Sequence, residues 1–395
     1  MKIRSLKVRM GRRGFTLVEI MVVMTIIAIL ISILVPAVGF VRESARGSQC
    51  RASLRQFFLG FAGLADRTKT ENYTTGAFDP SRDGCPDSIG WVADLVNAKV
   101  CKPQELLCPS NPAKGSEKYL DILSTPTSAS GENTTTAKQS LGRCATAVDG
   151  TALADHFLAK GYGTNHMTTW FLSRSALRLQ RTGSGDSATI MTVNAGAQKG
   201  LAGSRGPLTR RMVDQSPVTS NTIPIAGDSN LGDIKERYMT TDVIGTDGTV
   251  YLKQGDLLVE SFNDGAYARS PMVKVSADFE VMAQASTGAT GLVADEQPAK
   301  GLPKKMNLER SHLQDYRDFG VVHGGGSNVL FADGSVKTFS DTNGDGFLNP
   351  GFVTTSAATS GYAPETIPTV ELPEVDIFSG VFLEPLGSNP KTNLD

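Results

Sequence analysis

The feature that most restricts this chain is an apolar run from Phe15 to Val35, FTLVEIMVVMTIIAILISILV, which carries one charge, Glu19. As a helix it would be roughly 31 Å long at about 1.5 Å per residue, enough to cross the hydrocarbon core of a bilayer. Six basic side chains (Lys2, Arg4, Lys7, Arg9, Arg12, Arg13) and no acid precede it. That flank predicts a single pass with the N-terminus in the cytoplasm and the rest exported. A cleaved secretory signal would have an apolar core of about 7–15 residues followed by a small-residue cut site. Here the core is longer and its helical pattern continues. An ordinary signal anchor satisfies the length, but leaves the junction residues unexplained.

Those residues read Gly14-Phe15-Thr16-Leu17-Val18-Glu19. They resemble the type III signal of type IV pilins and type II secretion pseudopilins. The resemblance implies that a prepilin peptidase cuts between Gly14 and Phe15 and methylates the new amine of Phe15. Glu19, fifth after the cut, matches the family's acidic residue. A carboxylate near the bilayer centre costs on the order of 2.5–3.5 kcal/mol. Glu19 lies about 6 Å along the axis from Phe15, near an interface, and costs less. Cleavage creates a cation at Phe15, and methylation keeps its charge. That amine and Glu19 of an adjacent helix can neutralise one another in lipid. An acid in the first turn also suits the helix dipole.

Pro36 is expected to interrupt the helix, because proline removes a backbone hydrogen bond. Beyond it Val41, Ala45, Leu54, Phe57, Phe58, Phe61 and Leu64 recur at helical spacing, with Arg42, Glu43, Arg46, Arg51 and Arg55 largely off that face. An amphipathic helix to about Asp66 follows, its aromatic stripe forming domain core. About 50 residues of helix would span roughly 75 Å, which is similar to the lollipop shape of the pilin family.

From Thr68 the composition turns polar and turn-rich. The chain has 395 residues, 40% hydrophobic and 20% charged, so it can bury a core. The formal charge of −1 argues against nucleic acid as a partner. With 41 glycines and long Ser/Thr stretches, the exported part suits a loop-rich β protein. Short strands are predicted at Ala188–Val193, Gly248–Leu252 and Asp256–Ser261. Short helices are predicted at Trp91–Val100 and ending in His156–Lys160, with a loop over 110–140 and a loop or helix over Lys300–Ser311. Few of the last 45 residues are expected in regular elements. The predicted class is α+β: a long N-terminal helix packed on an antiparallel sheet. The divisions are a cleaved leader (1–14), a helix (15–66) and an exported domain (67–395).

A second signal is His323-Gly-Gly-Gly-Ser-Asn-Val-Leu-Phe-Ala-Asp333-Gly334. Asn328–Ala332 and Ser335–Ser340 read as a hairpin, with Asp333-Gly334 as a type I′ turn. The spacing His, nine residues, Asp-Gly resembles a C-terminal signature of large bacterial pseudopilin-like proteins. Gln49-Cys50-Arg51-Ala52-Ser53-Leu54-Arg55-Gln56 and Leu107-Cys108-Pro109-Ser110 resemble two further elements of that family, although Ala52-Ser53 departs from its paired asparagines. Residues between 110 and 320 match no known motif and read as variable insertion. HGGG also occurs in esterases, but the Gly-x-Ser-x-Gly elbow they need is absent from the sequence. His156, His166 and His312 have no metal-ligand spacing. His323 is therefore expected to fix the hairpin by hydrogen bonds.

Asp341-Thr-Asn343-Gly-Asp345-Gly-Phe347-Leu-Asn349 resembles the first nine positions of a calcium loop, with side-chain oxygens at 1, 3, 5 and 9 and the backbone carbonyl of Phe347 at 7. Phe352 stands where an EF-hand has its bidentate Glu, which implies weak binding or another late ligand; a plain polar turn is the competing reading. Cys50, Cys85, Cys101, Cys108 and Cys144 are all exported, so two disulfides and one free thiol are expected, against five reduced cysteines. The cysteines give no metal pattern, and CxxC is absent from the sequence.

Taken together, the sequence predicts a pilin-like structural subunit and not an enzyme. It would be processed by prepilin peptidase and held in the inner membrane. It would then be assembled with identical or related subunits, by a secretion or pilus machine, into a periplasmic or extracellular filament. Calcium is the only cofactor expected. A monomeric membrane-anchored surface binding protein and an exported hydrolase are the alternatives.

Overall fold

The computed structural model describes residues 15–123, 141–182, 189–192, 199–201, 203–269, 272–274, 280–282, 312–354, 356, 360–365 and 367–383. The chain divides into two compact units, residues 1–45 and 46–395. Helix α1 runs from Leu17 to Arg67. Contrary to expectation it continues through Pro36 without a break. Proline removes the hydrogen bond its own N–H would have made and crowds the carbonyl one turn back, a local cost that the hydrogen bonds of the turns on either side outweigh in a helix of 51 residues.

In the second unit the buried face of α1 is Gly47, Cys50, Ser53, Leu54, Phe57, Gly60, Phe61 and Ala65, at spacings of three and four. Leu54, Phe57 and Phe61 of the predicted stripe are buried, Phe58 and Leu64 half-buried, and Val41 and Ala45 exposed. Helix α2, Trp91–Asn97, crosses this face. Trp91 packs on Phe57 and Phe61, with ring centroids 5.3 and 6.2 Å apart. The approach is so close that a Cβ on Gly60 would meet Leu95 at 2.0 Å.

The largest sheet has four strands: β1 (His166–Thr168), β2 (Pro224–Asp228), β3 (Gly326–Phe331) and β4 (Val336–Ser340). They pair antiparallel in the order β4-β3-β2-β1. The fold is therefore α+β, with the predicted hairpin inside the sheet. All six residues of β3 are buried. Leu330 and Ala332 join the core that holds Leu54, Phe57 and Phe61. Val329 and Phe331 point the other way, into a second cluster with Met167, Tyr316, Phe319, Phe339, Leu348, Leu372 and Ile377. The period of two along β3 thus serves two cores.

The hairpin turn differs from the predicted type I′. That type needs positive φ at both central residues, and Asp333 is not among the described non-glycine residues with positive φ. Instead Gly334 alone takes φ +85°. Its N–H donates to the Phe331 carbonyl, and the Phe331 N–H donates to the carbonyl of Ser335. This is a three-residue loop with glycine at the left-handed position. Asp333 Oδ1 accepts from the Ser335 N–H (2.9 Å) and hydroxyl (2.6 Å), closing the turn.

Small elements surround this sheet. Thr189–Thr192 pairs with Leu179–Thr182 and Glu280–Met282, and Val250–Leu252 with Val243–Ile244. Leu258–Val259 pairs in parallel with Gly115–Ser116. That strand and helix Lys118–Ile122 fall where a loop was expected. Gly150–His156 is a helix capped by Asp149, followed by a 3-10 turn at Leu158–Lys160. Residues 300–311 lie outside the described set. Arg174 is fully buried and donates two hydrogen bonds of 3.0 Å to Asp83, which ties helix Trp170–Arg174 to the preceding loops. Past Ser340 the described residues form loops with one isolated bridge, Thr354–Glu365.

A Cβ at Gly334 would lie 2.6 Å from the Phe58 ring, whereas at Gly324 (φ +60°) it would meet nothing within 4 Å. Both positions favour glycine by about 1–2 kcal/mol for an alanine in this region. Gly334→Ala should therefore lower the melting temperature clearly more than Gly324→Ala. Equal shifts would show that the Phe58 contact carries no weight.

Candidate functional site

The first functional region is the start of α1. Phe15 is 82% exposed, and large apolar side chains from Leu17 to Val41 are exposed along the whole stretch. Soluble proteins do not present so long an unbroken apolar surface to water. The best window of α1 has a mean hydropathy of 2.9 with none of it buried, so by length and composition the helix can cross a membrane. Its hydroxyls are satisfied within the helix: Thr25 donates to the carbonyls of Met21 (2.9 Å) and Val22 (2.8 Å), and Ser32 to that of Ile29 (2.7 Å). A helix in lipid requires this.

Glu19 has a local task that the sequence analysis did not assign. Its Oε2 accepts from the Thr16 N–H (2.7 Å) and hydroxyl (2.8 Å), while the Glu19 N–H donates to Thr16 Oγ1 at 3.3 Å. This is a reciprocal capping box, readable in Thr16-Leu17-Val18-Glu19 as the T-x-x-E pattern. Gly14 lies outside the described residues.

The second region is internal and surrounds His323. The His323 N–H donates to the Gly326 carbonyl (2.9 Å) and its carbonyl accepts from the Gly326 N–H (3.2 Å), so its backbone does brace the hairpin. Its imidazole points elsewhere. Nε2 lies 3.3 Å from Cys108 Sγ and 3.3 Å from Asp228 Oδ2. Asp228, at the end of β2, is fully buried; Oδ1 accepts from the Cys50 thiol at 2.7 Å and Oδ2 from the Asn328 N–H at 2.8 Å. Ligand atoms of Cys50, Cys108, Asp228 and His323 all lie within 4.8 Å of one another. Four distant parts of the chain meet here: α1, the 106–110 loop, β2 and the start of the hairpin.

The surroundings hold these groups in place. Asn165 Oδ1 accepts from the Cys108 N–H (2.8 Å) and its amide donates to the Cys108 carbonyl (3.1 Å). The His166 ring stacks edge-on against Phe57, with centroids 5.3 Å apart, and its Nε2 contacts the Leu106 carbonyl at 3.1 Å. Burial pushes the Asp228 carboxyl up. The hydrogen bond from His323 and the charges of His166 and His323 outweigh it, so the net shift is downward. Contact with the Cys50 thiol, helped by His323, lowers Cys108 to about 5 against the effect of burial. The same contact, with burial and Asp228, raises Cys50.

The cysteine expectation needs correction. Cys85 and Cys144 form a disulfide, while Cys50, Cys101 and Cys108 are free. The structure therefore contains one bridge and three thiols where two bridges and one thiol were expected. The cluster is assembled by folding from single residues far apart, so no sequence pattern marks it. Cys50, Cys108 and His323 each lie in one of the three fragments singled out above; no sequence signal marked Asp228.

In the third region, the loop after β4, Asp341 Oδ1 and Oδ2 accept from the N–H groups of Gly344 (2.6 Å) and Gly346 (2.8 Å). Asn343 Oδ1 accepts from the Asp345 N–H, and Asp345 Oδ1 from the Phe347 N–H. Glu371 reaches in from far along the chain: Oε1 accepts from the Thr342 N–H (2.6 Å) and Oε2 from the Asn349 N–H (3.1 Å). Carboxylate oxygens of Asp341, Asp345 and Glu371 lie within 4.8 Å of one another. Phe352 is core, stacked on Tyr362. Asn349 Oδ1 accepts from the N–H groups of Gly351 and Phe352.

Comparison with known families gives two matches. Residues 9–35 match a model described as Prokaryotic N-terminal methylation motif. Residues 94–346 match a model described as Protein of unknown function (DUF1559). No curated protein and no solved structure matches. The second span runs through the middle of the chain.

Removing the Asp228 charge leaves His323, the Cys50 thiol and the Asn328 N–H facing a neutral amide. Asp228→Asn should cost about 3–5 kcal/mol at neutral pH, as for breaking a buried charged pair. Because folding lowers the Asp228 pKa, its stabilising contribution is present above the unfolded value of about 4 and fades as pH falls below it. The gap between wild type and variant in denaturant midpoint should therefore narrow in acid. A gap that widens in acid would contradict the assignment.

Proposed function

We propose, from the premise that this chain belongs to the family described as Protein of unknown function (DUF1559) and is a type IV pilin-like prepilin with the C-terminal H-x9-D-G motif, that its mature form is a structural filament subunit. The methylation motif implies processing by prepilin peptidase. The observation that carries the assembly reading is the exposed apolar stretch of α1 behind that motif. In the membrane lipid covers it; in a filament the same stretch of neighbouring subunits would. The subunit would sit in the inner membrane with its N-terminus inside, then enter a periplasmic or extracellular filament built by a pilus or secretion machine. The role is structural, without catalysis. In the filament, Glu19 would face the methylated amine of a neighbouring Phe15.

Mass analysis of the mature protein should find a chain beginning at N-methylated Phe15, and Gly14→Leu should leave the leader attached. Glu19→Ala should permit cleavage yet block incorporation into sedimentable filaments. A wild-type protein that keeps residues 1–14, or that is processed but always monomeric, would favour the anchored surface protein.

We also propose calcium binding by Asp341, Asn343, Asp345 and Glu371, with the Phe347 carbonyl as a further oxygen. Hard oxygen donors suit this ion, and Glu371 takes the place that Phe352 cannot fill. Saturating calcium should raise the melting temperature by a few degrees, and Glu371→Gln should remove the shift. If calcium leaves the wild-type midpoint unchanged, the loop is a turn only.

A further inference from the structure

The cluster at the head of the H-x9-D-G motif has the composition and geometry of a metal centre. Its donors are two thiols, one imidazole nitrogen and one carboxylate. A tetrahedral Zn²⁺ has bonds of about 2.0–2.3 Å, so its ligand atoms stand roughly 3.3–3.8 Å apart. The Cys108 Sγ–His323 Nε2 and His323 Nε2–Asp228 Oδ2 separations are both 3.3 Å. The Cys50 Sγ–Asp228 Oδ1 contact is shorter, 2.7 Å.

Two other readings of the cluster fit less well. In a catalytic Cys-His-Asp arrangement the imidazole uses one nitrogen for the thiol and the other for the carboxylate. Here the same nitrogen, Nε2, faces both Cys108 and Asp228. A Cys50–Cys108 disulfide would need neither a buried carboxylate nor an imidazole beside the sulfurs. Convergence of all four donors on one locus is what an ion requires. A further buried nitrogen, His166 Nδ1, lies 3.8 Å from Asp228 Oδ1 and has no hydrogen-bond partner. The donors are also held from outside, by Asn165 on the Cys108 backbone and the Asn328 N–H on Asp228. Metal sites characteristically have such supporting contacts.

We propose that Cys50, Cys108, Asp228 and His323 bind one tetrahedral, borderline-soft divalent ion, Zn²⁺ in the first instance. Two sulfur donors select against calcium and magnesium. With four protein ligands the site has no open position, so the ion is structural: it fastens α1 to the 106–110 loop, to β2 and to the hairpin. On binding, both sulfurs coordinate as thiolates and the imidazole through its free-base nitrogen: the Cys50 S–H bond, and any other bond from a donor atom to a proton, gives way to a bond to the metal, and the protons pass to solvent with no change in oxidation state. This inference does not depend on filament assembly.

The test uses the full-length protein, purified in detergent under reducing conditions, stripped with a chelator and titrated with Co²⁺ in excess calcium. One equivalent should produce the visible bands of tetrahedral cobalt with thiolate-to-cobalt charge transfer, and Zn²⁺ should displace it stoichiometrically. Cys50→Ser and Cys108→Ser should each weaken binding at least tenfold and diminish the charge-transfer band. Cys101→Ser and Asp345→Ala should leave both unchanged. The wild-type spectrum reads the ligand set directly, so the test survives any variant that fails to fold. No cobalt band at one equivalent, a band indifferent to both serine variants, or a Cys50–Cys108 disulfide in protein isolated without reductant would each overturn the proposal.

Discussion

The packing of one helical face against one strand underlies the second unit. Cys50, Leu54, Phe57, Phe61 and Ala65 are each no more than 2% exposed. Burying an aromatic or aliphatic side chain contributes about 1.5–3 kcal/mol, so this face supplies a large part of a stability that is small in total. It also sets the order of assembly in space. Phe57 rests on the His166 ring, Cys50 meets Asp228, and Phe58 stands against Gly334, so two strands and a turn take their position from α1.

Both ends of the H-x9-D-G motif meet α1. A Cβ on Gly47 would lie 3.6 Å from His323 Nδ1, and Phe58 abuts Gly334. The two contacts on α1 are eleven residues apart, about 17 Å of helix. Between them β3 takes five steps from Gly326 to Phe331, also about 17 Å at 3.4 Å per step. A residue added or lost within the motif would reverse the alternation that sends Leu330 to one core and Val329 to the other.

Much of this was legible in the sequence. The apolar run, the helix through Phe61 and the hairpin each carry a periodic signal that local physics reads directly. The turn type was not legible: Asp-Gly suits both a two-residue loop and the observed three-residue one, and only the register Leu330↔Val336 separates them. The helix through Pro36 was misread because one lost hydrogen bond was weighed as a break. The cluster around His323 was invisible for another reason. Cys50, Cys108, Asp228 and His323 are brought together by tertiary packing, and no short-range spacing rule encodes such a meeting. Glu371 is hidden in the same way, arriving beside Asp341 and Asp345 from a loop that looks featureless alone.

Glu19 shows how a local and an assembly role can rest on one carboxylate. The capping box uses Oε2 and fixes the side chain over the first turn of α1. An alanine there would lose the reciprocal half of the capping box, the Oε2 contacts to the Thr16 N–H and hydroxyl, as well as any partner in a neighbouring subunit. A glutamine could still accept from Thr16 but would carry no charge to offer a cationic amine. Comparing Glu19→Gln with Glu19→Ala therefore separates the two roles. If the charge pair governs assembly, both variants lose filaments and only the alanine variant frays the helix start. If the cap governs it, the glutamine variant assembles normally.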